Sequence, residues 1–162
     1  MTTVLEQTIA SFRSEPDKAR SRPVVTARSA GSRAEITAGA FALAADLPPA
    51  LGGTNEAPSP TALLLSALAG CAVVFVRDTL APQLNIRVDA VEATVSCEAD
   101  ARGLLAIDGV SPDLTALAVS VTVSSPDGTE AVARLERAWR ERCPIYRALI
   151  QPTAVDVAFG AG

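Results

Sequence analysis

The spacing of hydrophobic residues changes several times along this chain, and each spacing predicts a different element. Apolar side chains recur three and four apart in residues 3–14, which is typical of a short amphipathic helix. After a polar connector, short apolar runs separated by glycine-containing turns predict a meander of three strands. We expect these strands at Pro23–Arg28, Arg33–Thr37 and Phe41–Ala45.

The most apolar segment follows a loop that is rich in proline and glycine and covers Asp46 to Pro60. Ser59 can cap a helix with its hydroxyl, and Pro60 suits the first helical position because its missing N–H is not needed there. The predicted helix runs to about Leu80 and is closed by Pro82. Because it is apolar nearly all round, we expect it to be enclosed on most sides.

The second half of the chain shows further strand and helix patterns. Thr129 is expected to cap a helix over about 130–142, which Cys143 interrupts before a short helix that reaches Ile150 and is broken by Pro152. Runs of strands separated by helices that cannot all be crossovers indicate an α+β protein. The strands predicted in this half are Ile86–Cys97, Leu104–Ile107, Ala116–Ser124 and Thr153–Phe159.

Length and composition fit one domain that buries an aliphatic core. The chain has 162 residues, 49% of them apolar but only 4% aromatic. Charged residues make up 20%, which is slightly low for a soluble protein and is explained if a large surface is buried between copies. The net charge of −4, without a cluster of Lys and Arg, argues against nucleic acid as a partner.

The chain contains no histidine, which excludes a Ser-His-Asp triad, a Cys-His pair and histidine-based zinc sites. Three widely spaced cysteines without a CxxC motif form a poor disulfide framework for a secreted protein. The first residues lack the pattern of a signal peptide. The apolar stretch Thr61–Val76 has 16 residues, short of the ~20 that a membrane-spanning helix needs. We therefore expect a cytoplasmic protein without a membrane segment.

Two of the cysteines are candidates for chemistry, and each also has a structural interpretation. Cys71 lies at the midpoint of the apolar helix, where it is either a small core residue or a thiol whose ionisation needs a nearby arginine. Cys143 precedes Pro144 at a helix junction, where it is either a packing residue or a thiol acidified by a helix N-terminus. Cys97 ends a strand pattern and is expected to be structural.

Two segments that contain these cysteines resemble one known family. Leu51–Cys71, LGGTNEAPSPTALLLSALAGC, is similar to the signature of OsmC-type proteins, in which a Gly-Gly-Thr loop and a Pro-x-Pro turn lead into a central helix with the first cysteine. Glu141–Tyr146, ERCPIY, resembles the second signature, a Cys-Pro at a helix junction. The resemblance covers about 22–160, after a helix and connector at 1–21, and implies one OsmC-like domain over 1–162.

The resemblance also implies a fold and a chemistry. Small antiparallel sheets would wrap a long buried central helix in an intertwined homodimer. Cys71 matches the peroxidatic cysteine, which becomes a sulfenic acid, and Cys143 matches the resolving cysteine, which forms the disulfide. The arginine that holds the thiolate matches Arg33 first and Arg28 as the alternative. We expect an organic hydroperoxide as substrate in an apolar pocket that includes Phe75, an external dithiol as reductant, and neither metal nor organic cofactor.

One position departs from the organic hydroperoxide resistance branch of that family. A glutamate follows the proline before the central helix in that branch, whereas this chain has Thr61. Glu56, five residues earlier in the loop, is the candidate substitute. The departure keeps two alternatives open beside the peroxidase. The chain could be a non-catalytic protein that binds a small apolar ligand, or a redox sensor that forms its disulfide without efficient turnover.

Overall fold

The computed structural model describes residues 3–151 and 153–161. The chain consists of two units, residues 1–63 and residues 64–162, and the boundary falls within a long helix. The first unit begins with helix α1, Val4–Ser14. Thr3 caps this helix: its hydroxyl accepts from the backbone N–H of Glu6 at 3.2 Å, and its own N–H donates to the Glu6 carboxylate at 2.7 Å. The predicted N-terminal helix is thus confirmed.

The predicted meander is confirmed as an antiparallel sheet in the order β1-β2-β3. Its strands are β1 (Val25–Ala30), β2 (Arg33–Ala38) and β3 (Phe41–Ala45). Strand β1 begins two residues after Pro23, which has no N–H to donate to a strand ladder. Gly31 and Gly39 occupy the two hairpin turns at φ values of +63° and +60°, a region that favours glycine.

The long apolar helix, α2, covers Pro60–Gln83 and is α-helical to Phe75. Ser59 caps it as predicted, since its Oγ accepts from the backbone N–H of Ala62 at 3.1 Å. A π-helical turn, Val76–Leu80, changes the hydrogen-bond register just before Pro82, and the backbone N–H of Leu84 then reaches the carbonyl of Leu80 at 2.9 Å. The prediction that Pro82 closes the helix at about Leu80 is therefore wrong by about one turn.

One face of α2 belongs to the hydrophobic core. Leu68, Ala72 and Leu80 are fully buried, whereas the side chains of Leu64 and Val74 remain 38% and 52% exposed. Within a single chain, the helix is therefore not enclosed on most sides as its composition predicted. By length and composition alone, its 24 residues could also cross a membrane, so the prediction that the apolar stretch is too short is wrong. One such helix is weak evidence for a membrane span, and one face of α2 packs in the core.

The second unit combines a two-stranded antiparallel sheet with helices, which confirms the α+β class. Leu135 and Trp139 lie on the helix Gly128–Arg142 and pack into the same core as α2. The elements that follow α2 are β4 (Ala90–Glu98), the single-turn helix α3 (Ala101–Leu104), β5 (Thr115–Ser124), α4 (Gly128–Arg142) and α5 (Pro144–Ile150).

Two predicted strands are wrong. Leu104–Ile107 was predicted as a strand, but Asp100 caps α3 by accepting from the N–H of Arg102 at 3.0 Å, which starts a helical turn instead. Thr153–Phe159 forms neither helix nor strand, and within the described residues no strand pairs with it. Its alternating side chains are largely exposed: Val155 by 79%, Val157 by 72% and Phe159 by 99%.

Local differences also affect two predicted boundaries. Strand β4 starts at Ala90 rather than Ile86, because the backbone N–H of Arg87 is hydrogen-bonded to Asp127 at the start of α4. The Asp127 carboxylate accepts from the Arg87 N–H at 2.7 Å and pairs with its guanidinium. Asp127, not Thr129 as predicted, occupies the N-cap position of α4. The predicted break at Pro152 lies outside the described residues.

Candidate active site

The structure brings Cys71 and Cys143 together, although 72 positions separate them in the sequence. Their Sγ atoms are 3.1 Å apart, and both thiols are free. A disulfide bond is about 2.05 Å long, so this sulfur pair is reduced but within about 1 Å of bonding distance. The predicted pairing of these two cysteines requires only a small local movement.

Cys143 is positioned by the junction between α4 and α5. Its backbone N–H still donates to the carbonyl of Trp139 at 2.8 Å, so it completes α4. Its extended conformation then starts α5, where Pro144 occupies the first position and the Cys143 sulfur accepts from the N–H of Tyr146 at 3.5 Å. The predicted helix-capping cysteine is therefore confirmed. Its side chain is fully buried.

Cys71 is positioned in the middle of α2 and is only partly buried. Burial raises the pKa of its thiol to about 12, and the hydrogen bond and charge of Cys143 act in the same direction. The backbone N–H of Ile145 lowers this pKa but does not offset the other effects. The Cys71 thiol is therefore protonated near neutral pH. Ionisation of Cys71 requires a cation that the pair itself does not contain.

The two candidate arginines lie on the first sheet and have different partners. Arg33 begins β2, and its guanidinium lies 3.6 Å from the Glu56 carboxylate, with 42% of the arginine side chain exposed. Arg28 lies opposite Glu35 in the β1–β2 register, pairs with it at 2.9 Å, and is 80% exposed. The structure thus brings Arg33 and Glu56 together, and it gives Arg28 a separate carboxylate.

The loop that carries Glu56 is organised by Asp46, a residue that is not among those predicted from sequence. The buried Asp46 carboxylate accepts from the N–H of Glu56 at 2.9 Å and from the hydroxyl of Thr54 at 2.8 Å. These bonds, the Glu56 N–H first, lower the pKa of Asp46 to about 2. A Cβ at Gly53 would lie 1.9 Å from the Leu47 carbonyl oxygen, so only glycine fits there. The available signal was an aspartate placed between a strand and a Gly-Pro loop.

A cavity of about 650 Å³ lies between β5 and the last two helices. It is lined mostly by aliphatic side chains, and its lining includes neither cysteine. The other lining residues are Ser120, Glu136, Trp139, Arg140 and Tyr146. The Trp139 and Tyr146 rings are 5.0 Å apart between centroids. The predicted apolar pocket around Phe75 is not this cavity, because Phe75 does not line it. The Cζ atom of Arg142 instead lies 5.8 Å from the centroid of the Phe75 ring.

The remaining chemistry is limited. Cys97 lies at a bulge in β4, half-buried and free, without a reactive partner among the contacts described for it. Across residues 3–151 and 153–161, no cluster of three or more acidic or cysteine side chains could hold a metal ion. Residues 64–162 therefore hold the sulfur pair of Cys71 and Cys143. Residues 1–63 separately hold the Arg33–Glu56 ion pair.

Comparisons with known proteins agree on one family. The sequence model for OsmC-like protein matches residues 53–158. An OsmC-like protein from Mycoplasma pneumoniae has a similar structure, with a TM-score of 0.68 at 20% identity, over 82% of this chain and 89% of that one. An organic hydroperoxide resistance protein OsmC from Legionella pneumophila gives 0.57 at 22% identity, over 81% and 90%.

Organic hydroperoxide resistance protein OhrB from Bacillus subtilis gives a TM-score of 0.53 at 23% identity, over 82% of this chain and 93% of that one. At these identities the structural likeness establishes the fold alone. No curated protein sequence matches the chain.

Proposed function

Because this chain belongs to the OsmC family, we propose that it is a thiol-dependent peroxidase that reduces organic hydroperoxides to alcohols. The observation that carries the proposal is the 3.1 Å separation of the Cys71 and Cys143 sulfurs in the reduced state. Similar structures include proteins described as organic hydroperoxide resistance proteins, which supports a peroxide as the substrate.

The proposed cycle uses both sulfurs. The Cys71 thiolate attacks the peroxide oxygen remote from the organic group, the O–O bond breaks, and protonation releases the alcohol. The resulting sulfenic acid is attacked by the Cys143 sulfur, which releases water and leaves a Cys71–Cys143 disulfide. An external dithiol then reduces this disulfide and is itself oxidised. The chain's own residues supply the nucleophile and the resolving thiol in this cycle, and we expect it to need neither metal nor organic cofactor.

Exposure supports this assignment of the two roles. Cys71 is partly exposed, whereas Cys143, at the junction of α4 and α5, is fully buried. A peroxide from solvent therefore reaches Cys71 first, and Cys143 reacts only with an oxidised neighbour. A sulfur that solvent cannot reach, such as that of Cys143, cannot be the first nucleophile.

The Cys71 thiol must be ionised before it can attack a peroxide, and burial raises its pKa to about 12. We assign the activating cation to Arg33 in preference to Arg28. The Arg33 guanidinium is less exposed, and its ion pair with Glu56, at 3.6 Å, is looser than the 2.9 Å pair of Arg28. Arg33 therefore keeps hydrogen-bonding capacity for a thiolate and for the peroxide. Glu56 orients Arg33 and takes the place of the glutamate that Thr61 replaces.

A homodimer is part of the proposal because a single chain leaves large apolar groups exposed. In the described part of residues 1–63, the buried side chains are those of Ala45 and Asp46, too few to stabilise a three-stranded sheet. Phe41 on that sheet is 75% exposed, and Phe159 is 99% exposed. A second copy would cover such surfaces together with the open face of α2. We also expect the protein to be cytoplasmic, where dithiol reductants are available.

The raised pKa of Cys71 favours a redox sensor as the second candidate, because a neutral thiol reacts slowly and forms the disulfide without rapid turnover. The cavity of about 650 Å³ is the observation that favours the third, a non-catalytic protein that binds a small apolar ligand. Both alternatives retain the fold and lose catalytic turnover.

Peroxide consumption in excess dithiothreitol separates these candidates. The wild type should consume cumene hydroperoxide over many turnovers and faster than hydrogen peroxide. Cys71→Ser should abolish consumption, and Cys97→Ser, which removes the thiol outside the pair, should retain it. Consumption of one equivalent only would indicate the sensor. Consumption that survives in Cys71→Ser would contradict the peroxidase assignment.

A further inference from the structure

We propose that the reduced Cys71–Cys143 pair is also a chelating site for monosubstituted arsenic(III) oxides, for which phenylarsine oxide is the probe. The site uses the same sulfurs as the proposed peroxidase but does not depend on it, since it requires no oxidation and no turnover. The inference rests on the separation of the sulfurs, on the ligands around them and on their charge.

The separation of the sulfurs suits one bridging atom. At 3.1 Å the Sγ atoms are about 1 Å farther apart than in a disulfide, so an atom bonded to both fits between them with little movement. Helix α2 fixes one sulfur, and the α4–α5 junction fixes the other. Folding has therefore already met the entropic cost of bringing together two thiols that lie 72 positions apart.

The available ligands select the kind of centre. A structural zinc site needs about four protein ligands, and the chain has no histidine. No metal-binding group of three or more candidate side chains is found in the part of the chain that the structure describes. Soft sulfur ligands prefer soft, thiophilic elements. A site with only two sulfurs therefore favours an element that brings its own third substituent, as the arsenic of phenylarsine oxide brings its phenyl carbon.

Charge points in the same direction. Burial keeps the Cys71 thiol protonated, with a pKa of about 12, and ionised ligands would be costly there. A divalent metal requires both thiols to lose their protons to solvent. Phenylarsine oxide instead condenses with two neutral thiols. Two As–S bonds form, the As=O bond breaks, the oxygen leaves with both thiol protons as one water, and arsenic keeps its oxidation state. The product is uncharged and suits a buried position.

The exposure of the two cysteines sets the order of bond formation. Cys71 is partly exposed and forms the first As–S bond, and the buried Cys143 then closes the chelate. The first bond alone is exchangeable with any monothiol in solution. Closure makes the complex resistant to monothiols, because release then requires two bonds to break on the same arsenic.

Non-denaturing mass spectrometry of the reduced protein in excess glutathione tests the site. The wild type should carry one phenylarsenic group per chain, with loss of two thiol hydrogens, and 2,3-dimercaptopropanol should remove it. Cys97→Ser, the matched control, should behave like the wild type. Cys71→Ser and Cys143→Ser should each bind about 100-fold more weakly or worse, as expected when a bidentate site becomes monodentate. Equal binding by either variant, or no adduct on the wild type, overturns the proposal.

Thermal denaturation provides a second test that uses only the wild type and Cys97→Ser, so it does not depend on whether the site variants fold. Phenylarsine oxide should raise the melting temperature of the wild type and of Cys97→Ser, because it binds the folded dithiol in preference to the unfolded chain. An unchanged melting temperature at saturating probe overturns the proposal even if an adduct forms. A protein that binds the probe but does not consume peroxide would retain this site and lose only the peroxidase assignment.

Discussion

The sulfur of Cys143 has two partners at once: the Cys71 sulfur at 3.1 Å and the backbone N–H of Tyr146, at 3.5 Å, in the first turn of α5. The thiol that we propose to resolve an oxidised Cys71 is therefore also the cap of a helix. Disulfide formation draws this sulfur toward α2, so the redox state of the pair and the start of α5 are mechanically connected.

Replacement of Cys143 separates these two roles. Serine can accept the same helix-capping hydrogen bond, whereas alanine cannot, and loss of an N-cap costs about 1 kcal/mol. We expect Cys143→Ala to have a lower melting temperature than Cys143→Ser. Both variants should accumulate Cys71 sulfenic acid after peroxide treatment, measured by dimedone labelling and mass spectrometry. Efficient disulfide-dependent turnover in Cys143→Ser would contradict the resolving role.

Arg33 and Arg28 make a matched pair for testing the activating cation. Arg33→Gln should lower the peroxidase kcat/KM by about 100-fold or more, as removal of a catalytic hydrogen-bond donor does. Arg28→Gln should change it by less than about twofold, because Arg28 forms an exposed surface pair. If Arg33 is the activating cation, as we propose, its loss should raise the Cys71 pKa and move the rate–pH profile of Arg33→Gln to higher pH. Equal effects of the two substitutions would remove the assignment to Arg33.

Asp46 gives a prediction about stability and pH. Its folded pKa of about 2 lies below its ordinary value, so its carboxylate stabilises the folded state above about pH 4, and this contribution is lost as the pH falls toward 2. Asp46→Asn should therefore melt at a lower temperature than the wild type at pH 7. The difference should shrink between about pH 4 and pH 2. A difference that stays constant over this range would mean that the carboxylate charge is not responsible.

The exposed aromatic side chains predict the oligomeric state. Phe159→Asp and Phe41→Asp each place a charge on apolar surface that we expect a second copy to cover. Sedimentation velocity should show a dimer for the wild type and a shift toward monomer for these variants. Asp17→Asn, at an exposed position in the polar connector, should leave the distribution unchanged. A monomeric wild type at micromolar concentration would contradict the homodimer.

The features that were predictable from sequence are those with local causes. Ser59 followed by Pro60 specifies a helix start within three residues, and the same logic placed Cys143 before Pro144 at the start of α5. The wrong strand at Leu104–Ile107 was decided by Asp100, whose capping bond starts a helical turn. The strand pattern of Thr153–Phe159 indicates compatibility with a sheet, but it does not supply a neighbour to pair with.

The parts of the site that sequence could not provide depend on the folded chain. The contact between Cys71 and Cys143 joins positions 72 apart, and periodicity carries no information about it. The raised pKa of Cys71 arises from burial in the folded chain and from the neighbouring Cys143. Asp46 escaped notice because its partners, the Thr54 hydroxyl and the Glu56 N–H, meet it only when the loop closes.

The most direct test of the central claim is a single-turnover reaction of Cys97→Ser, which holds only the two thiols of the pair. One equivalent of cumene hydroperoxide, added without reductant, should yield one equivalent of cumyl alcohol. The thiol count should fall from two to zero, and peptide mapping should find Cys71 joined to Cys143. Alcohol without the disulfide, or a disulfide between separate chains in place of this one, would contradict the account.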